Sequence, residues 1–425
     1  MRKSFELAEI FNDNMVFQQG KPIKIFGKCA KKQEITIKLL DQEIVIKTKT
    51  DNFMVEFPAR DYRETAFSFS LSTKKEKVTI YNCVIGDVYL FLGGMNISMP
   101  LADSYHNQDY DIQSVRFFTK KEEDYDWVIS GKDNFETFSA LGYLFAKGMH
   151  ELIKTPIGII NFTHTDSRIF SWMSNSDIET NKEIKLLTSK YASKDRYPLY
   201  GLLKTKIVPH AVKAIVFYQG ENDYPYYSVY ENALRLIIKC LRLDFNDLKL
   251  PFFIIQIAGY NHPEADDYSV SKIRLAQARI ASDKDEVFLV SAIDFGDLQD
   301  INPKDKHLVA RRLSNLTLEK LYKIGKNNTA PTYFSYQLFP DYISILTEGN
   351  FLNLLSKSGQ YLGFTYTENG TDFYPLANVK IENNRIIIKK DKDYKEIRYA
   401  MKKFPICDII TSNNLPLLPF YIKFY

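Results

Sequence analysis

The sequence has no charge excess. Its 425 residues carry 56 basic and 52 acidic side chains, a formal net charge of +4. A balance that close excludes the concentrated basic face that a nucleic-acid-binding protein needs. No run of about 18 apolar residues occurs, which excludes a membrane-spanning helix. Met1 to Phe11 lacks the apolar core of a secretory signal, and a strand-like pattern starts almost at once. The four cysteines, Cys29, Cys83, Cys240 and Cys407, lie far apart without a Cys-x-x-Cys pair. That excludes a local zinc clip or a disulfide scaffold, and predicts free thiols in the cytoplasm. There is no internal repeat or low-complexity segment. Gly-x-Ser-x-Gly, a phosphate loop, Gly-x-Gly-x-x-Gly and His-Glu-x-x-His are all missing.

What is present is ordinary globular chemistry. The chain is 45% hydrophobic and 25% charged, enough apolar material for more than one core. The first 85 or so residues alternate apolar and polar, as in Glu34 to Leu40 and Gln42 to Thr48, the pattern of half-buried strands. The middle of the chain changes character. Five short apolar runs begin at Asp87, Ile157, Ala214, Phe252 and Val287. They alternate with helical stretches that include Phe138 to Ile153, Tyr230 to Leu241 and Lys306 to Tyr322. Strands covered on both faces lose their alternation, so this predicts a parallel sheet flanked by helices. The last hundred or so residues are strand-like again. Val379 to Lys389 reads as a strand, an Asn-Asn turn and a strand.

The expected architecture is therefore α/β: a flavodoxin-like three-layer domain with five parallel strands and β-rich regions at both ends. The expected divisions are residues 1 to about 85, 86 to about 325, and 326 to 425.

In such a sheet, ligands bind beyond the carboxyl ends of the strands. The segments there hold Gly93 to Ser98, Thr163 to Asp166, Gln219 to Asp223, Tyr260 to His262, and Asp294 to Asn302. Tyr218-Gln219-Gly220-Glu221-Asn222-Asp223 is the most pointed, because generic loops hold more Ser, Gly and Pro. Of six histidines, only His164 and His262 lie at strand tips, where a base would sit. Each of these tips also reads as a plain solvated loop. Tyr224, Tyr226 and Tyr227 could stack on a sugar or simply face solvent.

At these tips the sequence resembles the sialate O-acetylesterase family of the SGNH-hydrolase superfamily. The resemblance rests on an ordered set of blocks: Ile10 to Gln19, Phe138 to Ala146, Ile157 to Asn161, Pro198 to Tyr200, Phe217 to Asp223, Pro251 to Gln256, Arg274 to Gln277, Ile293 to Asp297, Ile397 to Ala400, and Leu415 to Phe420. It implies removal of O-acetyl groups from sugars, mainly sialic acids. The chemistry implied is a Ser nucleophile, a His base and an oxyanion hole, with no cofactor and no metal. The implied ligand is a small carbohydrate such as an O-acetylated sialic acid.

Three blocks depart from the family pattern. The family's Gly-Gln-Ser-Asn-Met is Gly93-Gly94-Met95-Asn96-Ile97 here, which puts Met95 at the serine position and Gly94 before it. A Gly-Gly pair near the oxyanion becomes Thr165-Asp166, and a carboxylate there has the wrong sign. The family's Asp-Ile-His-Pro becomes Asp300-Ile301-Asn302-Pro303, so the base position is Asn302, which has no basic nitrogen. The triad acid position is Gln299, which leaves Asp300 and Asp297 as alternatives. Asn96, Gln219 and Glu221 match the family.

Removing a triad Ser or His costs on the order of 10⁶ in turnover. The expectation is an inactive or strongly impaired homologue that binds a carbohydrate or acts as a scaffold. The other reading is an active esterase with Ser98 as a relocated nucleophile. His164 or His262 would then be its base, and Asp166 or Asp223 would orient that base.

Overall fold

The computed structural model describes residues 4–105, 114–121, 124–165, 167–190, 198–283, 285–349 and 353–424. The chain folds as two compact units. One is Met1–Phe217 with Arg235–Phe252, and the other is Tyr218–Leu234 with Phe253–Tyr425.

The first unit is organised by one long strand, Lys77–Gly93. Its start is exposed or half-buried at most positions, whereas every residue from Cys83 onward is buried. The composition changes to match: Lys77-Val78-Thr79-Ile80 alternates, and Val88-Tyr89-Leu90-Phe91-Leu92 does not. Arg63–Ser72 pairs antiparallel with the first half, and Val16–Gln18 pairs in parallel with Val84 to Gly86. The second half pairs in parallel with Ile157–Thr163, which in turn pairs in parallel with Val115–Lys121. The strand passes residue 85 without a break, so one backbone serves both the β-rich region and the α/β sheet. Asp87 is fully buried inside it, where an unpaired charge would be costly. Gln18 and Gln19 donate amides to its carboxylate at 3.0 and 2.9 Å, and Lys213 lies 3.6 Å away.

All five apolar runs form strands: the end of Lys77–Gly93, then Ile157–Thr163, Ala214–Tyr218, Phe252–Gln256 and Val287–Ser291. The helix expected from Phe138 forms as Ala140–Ile153. Ser139 caps it by accepting the Gly142 N–H at 3.0 Å. Its Phe145 packs edge-on against Tyr89, with ring centroids 4.9 Å apart. Val115–Lys121 and its hairpin partner Asp124–Ile129 add edge strands that the apolar pattern does not single out. The sequence between them is charged, and Arg116 interrupts the few apolar residues Val115, Phe117 and Phe118, so no apolar run stands out.

The second unit carries the strands Phe252–Gln256 and Val287–Ser291, with the helices Asp267–Asp283 and His307–Thr317. Its C-terminal part holds two four-stranded sheets around a core that includes Ile343, Ile345, Phe364, Ile386, Ile397 and Phe420. Burying each such side chain contributes about 1.5–3 kcal/mol. The Asn-Asn turn forms as expected. Asn383 and Asn384 take φ of 50° and 60°, the conformation that matches hairpin twist, and Glu382 pairs with Arg385.

Candidate functional site

The first unit presents the chain reversal after Gly93. Gly93 has φ +154°, a region open to glycine and strained for other residues. Its carbonyl accepts the His164 N–H at 3.0 Å, which ties the reversal to the end of the neighbouring parallel strand. A Cβ on Gly94 would lie 3.5 Å from the Thr165 carbonyl oxygen. Thus Gly93 and Gly94 meet the backbone of His164 and Thr165, as a shared strand end requires.

Met95–Ser98 is a single helical turn. Asn96 and Ile97 point inward and are buried, while Met95 is 38% exposed. Ser98 does not extend outward as a nucleophile would. Its hydroxyl donates to the Met95 carbonyl at 3.5 Å and lies 3.6 Å from the Met95 sulfur. These are its only hydrogen bonds among the described residues. His164 is half-buried. Asp166 lies outside the described residues.

The second unit builds a more elaborate tip. Gly220 has φ +131°, and a Cβ there would fall 2.9 Å from the Tyr230 hydroxyl and 3.2 Å from Ile257 and Ile273. The Tyr230 hydroxyl donates to the Gln219 carbonyl at 2.9 Å. Burial holds that phenol well above its usual pKa, so it stays protonated to donate. The Gln277 amide donates to the same carbonyl at 3.0 Å, and its oxygen accepts the Ile257 N–H at 3.1 Å. The Gln219 side-chain amide donates to the Asp223 carboxylate. Gln219 and Asp223 are both buried.

Arg274, fully buried, supports the same region. Its guanidinium donates to the carbonyls of Ile257, Ala258, Lys402 and Lys403 at 2.6–3.1 Å. Burial lowers its pKa to about 10, which leaves it charged at neutral pH. The Arg274 to Gln277 block is therefore a bracket for three segments: Ile257 with Ala258, Lys402 with Lys403, and the tip at Gln219.

The loop after Val287–Ser291 spends its acids on itself. Asp297 accepts the N–H groups of Gln299 and Asp300 at 2.8 and 3.1 Å, and Asp300 accepts the Asn302 N–H at 2.8 Å. These are local turns of the Asx type. Asp294 instead forms a buried two-pronged pair with Arg312 at 2.7 and 3.0 Å.

Pattern reasoning passes over one group here. Lys306 is 2% exposed at the N-cap position of His307–Thr317. Burial lowers its pKa to about 8, while the charges of Glu221, Asp300 and Asp305 act to hold it up. The second unit thus gathers Glu221 and Asp300 around one buried cation. In sequence, Lys304-Asp305-Lys306 looks like a solvated charge run, and nothing marks the third residue as buried.

His262 follows the strand Phe252–Gln256. It is half-buried between Tyr224 and Tyr260, with ring centroids 4.5 and 5.7 Å away. Its Nδ1 accepts the Glu264 N–H at 3.2 Å. Tyr226 is 1% exposed and belongs to the core rather than to a sugar platform. No group of three or more His, Cys, Asp or Glu able to hold a metal occurs among the described residues. No helix among them is long and apolar enough to cross a membrane.

Comparison with known proteins places this geometry. The structure superposes on a carbohydrate acetylesterase from Xanthomonas citri with a TM-score of 0.88. At 21% identity, the match covers 99% of this chain and 100% of that one. The fold is thus α/β and shared with that carbohydrate acetylesterase, with added β-rich regions. Residues 111–319 match the family described as carbohydrate esterase, sialic acid-specific acetylesterase. The sialate O-acetylesterases of Homo sapiens and Pongo abelii are 24% and 23% identical over 407 residues, covering 82% of this chain and 76% of each of theirs. The chain is thus similar to the sialate O-acetylesterases, with the family match lying over residues 111–319.

Proposed function

We propose that this chain is catalytically inactive or strongly impaired, and serves as a carbohydrate-binding or scaffolding pseudoenzyme. The observation that carries the reading is Met95 in the reversal after Gly93, in the place of the family's serine. A thioether holds no proton to give up and cannot form an acyl-enzyme. In the same reading Asn302 occupies the base position, and it cannot accept a proton near neutral pH. Ser98 is a poor substitute, because its hydroxyl donates to Met95 and a relocated nucleophile also needs new oxyanion donors.

The parts retained suit binding. Gln219 is buried and holds the tip through Asp223, and Glu221 and Asp300 are the acceptors we assign to sugar hydroxyls. The ligand class we assign is a small carbohydrate such as an O-acetylated sialic acid, without cofactor, metal or nucleic acid. Four unbridged thiols favour a cytoplasmic location. We retain the three-part division at about residues 85 and 325 as the working domain assignment.

The test is acetate release from O-acetylated sialic acid by purified protein at high concentration. Release no faster than buffer supports the reading. Release at ordinary enzyme rates that is abolished by Ser98→Ala overturns it and establishes a relocated nucleophile.

A further inference from the structure

The outward face of the C-terminal sheet Thr332–Leu338, Tyr342–Glu348, Arg385–Lys389 and Val379–Glu382 carries a groove of about 740 Å³. Strand register fixes its floor. Ser344 pairs with Ile387, and Ile387 pairs with Lys380, so these three lie in one row across the sheet. Their neighbours along the strands, Ile343, Ile345, Ile386 and Ile388, point the other way into the core. The outward face therefore carries an isoleucine at its centre, where a plain solvated sheet carries a polar residue.

Three further features are unusual for an idle surface. Ser344 is 3% exposed, lines the groove, and its hydroxyl has no hydrogen-bond partner among the described residues. A buried polar group left in that state needs an explanation, and a groove occupant supplies one. Phe339 stacks on Tyr342 with ring centroids 4.4 Å apart and planes 12° from parallel, and it remains 37% exposed. The two rings form a firm apolar ledge at the groove. Finally, the cations are only partly matched. Lys380 pairs with Glu382 at 2.6 Å. Lys389 forms no salt bridge among the described residues, although its charge acts on Asp391, and Arg385 donates there only to the neutral Gln337, at 3.2 Å. Asp341 is the remaining carboxylate lining the groove. Arg385 and Lys389 stand four positions apart on one strand, on the order of 13 Å.

We infer that this groove is a binding site for an acidic oligosaccharide. The apolar faces of its rings lie on Ile387 and the Phe339–Tyr342 ledge, its carboxylates meet Arg385 and Lys389, and a hydroxyl reaches Ser344. The spacing of the two cations calls for more than one sugar, because a monosaccharide cannot touch both. The inference uses no residue of the candidate site described above, so it stands whether or not the chain hydrolyses esters.

The test uses the full chain and calorimetric titration with a hexamer of galacturonic acid, beside the same hexamer fully methyl-esterified. The acid form binds saturably, and the ester binds at least about tenfold more weakly. Arg385→Gln and Lys389→Gln each weaken the acid form about tenfold, as expected for a lost charge-assisted hydrogen bond. Lys389 is exposed, so its variant folds without difficulty. Ser344→Val weakens binding severalfold while the protein remains folded by circular dichroism. The inference is overturned if neither hexamer binds saturably, or if both bind equally well. It is also overturned if binding survives both cation variants, or if Glu221→Gln abolishes it while Lys389→Gln does not.

Discussion

Replacing Lys306 by methionine tests whether the candidate site is stabilised or strained by its buried cation. Lys306 has two local reasons to resist charging. It is almost wholly buried, and it occupies the N-cap of His307–Thr317, where the helix dipole is positive; burial lowers its pKa from 10.5 to about 8. Glu221, Asp300 and Asp305 favour the charge, but burial outweighs them. With the folded pKa below the unfolded one, the unfolded chain binds the proton more tightly. Stability from this group is therefore full above about pH 10.5, declines as pH falls, and the whole cost is present below about pH 8. The cost is on the order of 3 kcal/mol, and about 2.5 kcal/mol of it develops between pH 10 and pH 7. The assay is urea unfolding of wild type and Lys306→Met at both pH values. The stability of the variant relative to wild type should be greater at pH 7 than at pH 10 by about 2.5 kcal/mol. A difference that does not change with pH, or one of opposite sign, would show that the carboxylates hold Lys306 as a net stabilising ion pair and refute the argument.

Gly220→Ala should cost about 2–4 kcal/mol in chemical unfolding, because the new Cβ needs φ +131° and meets Tyr230. A loss under 1 kcal/mol would mean that the tip relaxes freely. His210 is buried between Phe11 and Phe17, with Nε2 3.2 Å from the Val16 carbonyl oxygen, and burial lowers its pKa to about 4. The unfolded chain gains this proton first as pH falls, so His210→Gln should lose about 2.5 kcal/mol less stability than wild type between pH 7 and pH 4.5. Equal acid sensitivity in denaturant titrations would contradict that. Met95→Ser with Asn302→His, and with Asp166→Gly if needed, should raise acetate release at least on the order of 10² over wild type. Complete inactivity of the folded triple variant would mean that the reversal after Gly93 no longer leads to a usable pocket.

The parts of the fold legible in the sequence were those set by local pattern. Five apolar runs became five strands because two-sided burial removes alternation within the run itself, and the Asn383-Asn384 turn followed from its own backbone preference. Lys306 and Arg274 were opaque for the opposite reason. Their burial comes from segments distant in the chain, such as the carbonyls at Lys402 and Lys403, which leave no trace beside them. The same division separates family likeness from activity. Gly220, Arg274 and Gln277 sit in blocks that resemble the family, and each holds backbone: a reversal, two loops, the Gln219 carbonyl. Met95 and Asn302 sit where, in the proposed reading, protons and acyl groups would be handled. Backbone-holding residues can persist with the chemistry gone, because the loops need them whatever the tips do. The resemblance therefore carries the fold with force, while in the proposed reading catalysis turns on the few atoms at Met95, Ser98 and Asn302, and neither a thioether nor an amide can serve there as nucleophile or base.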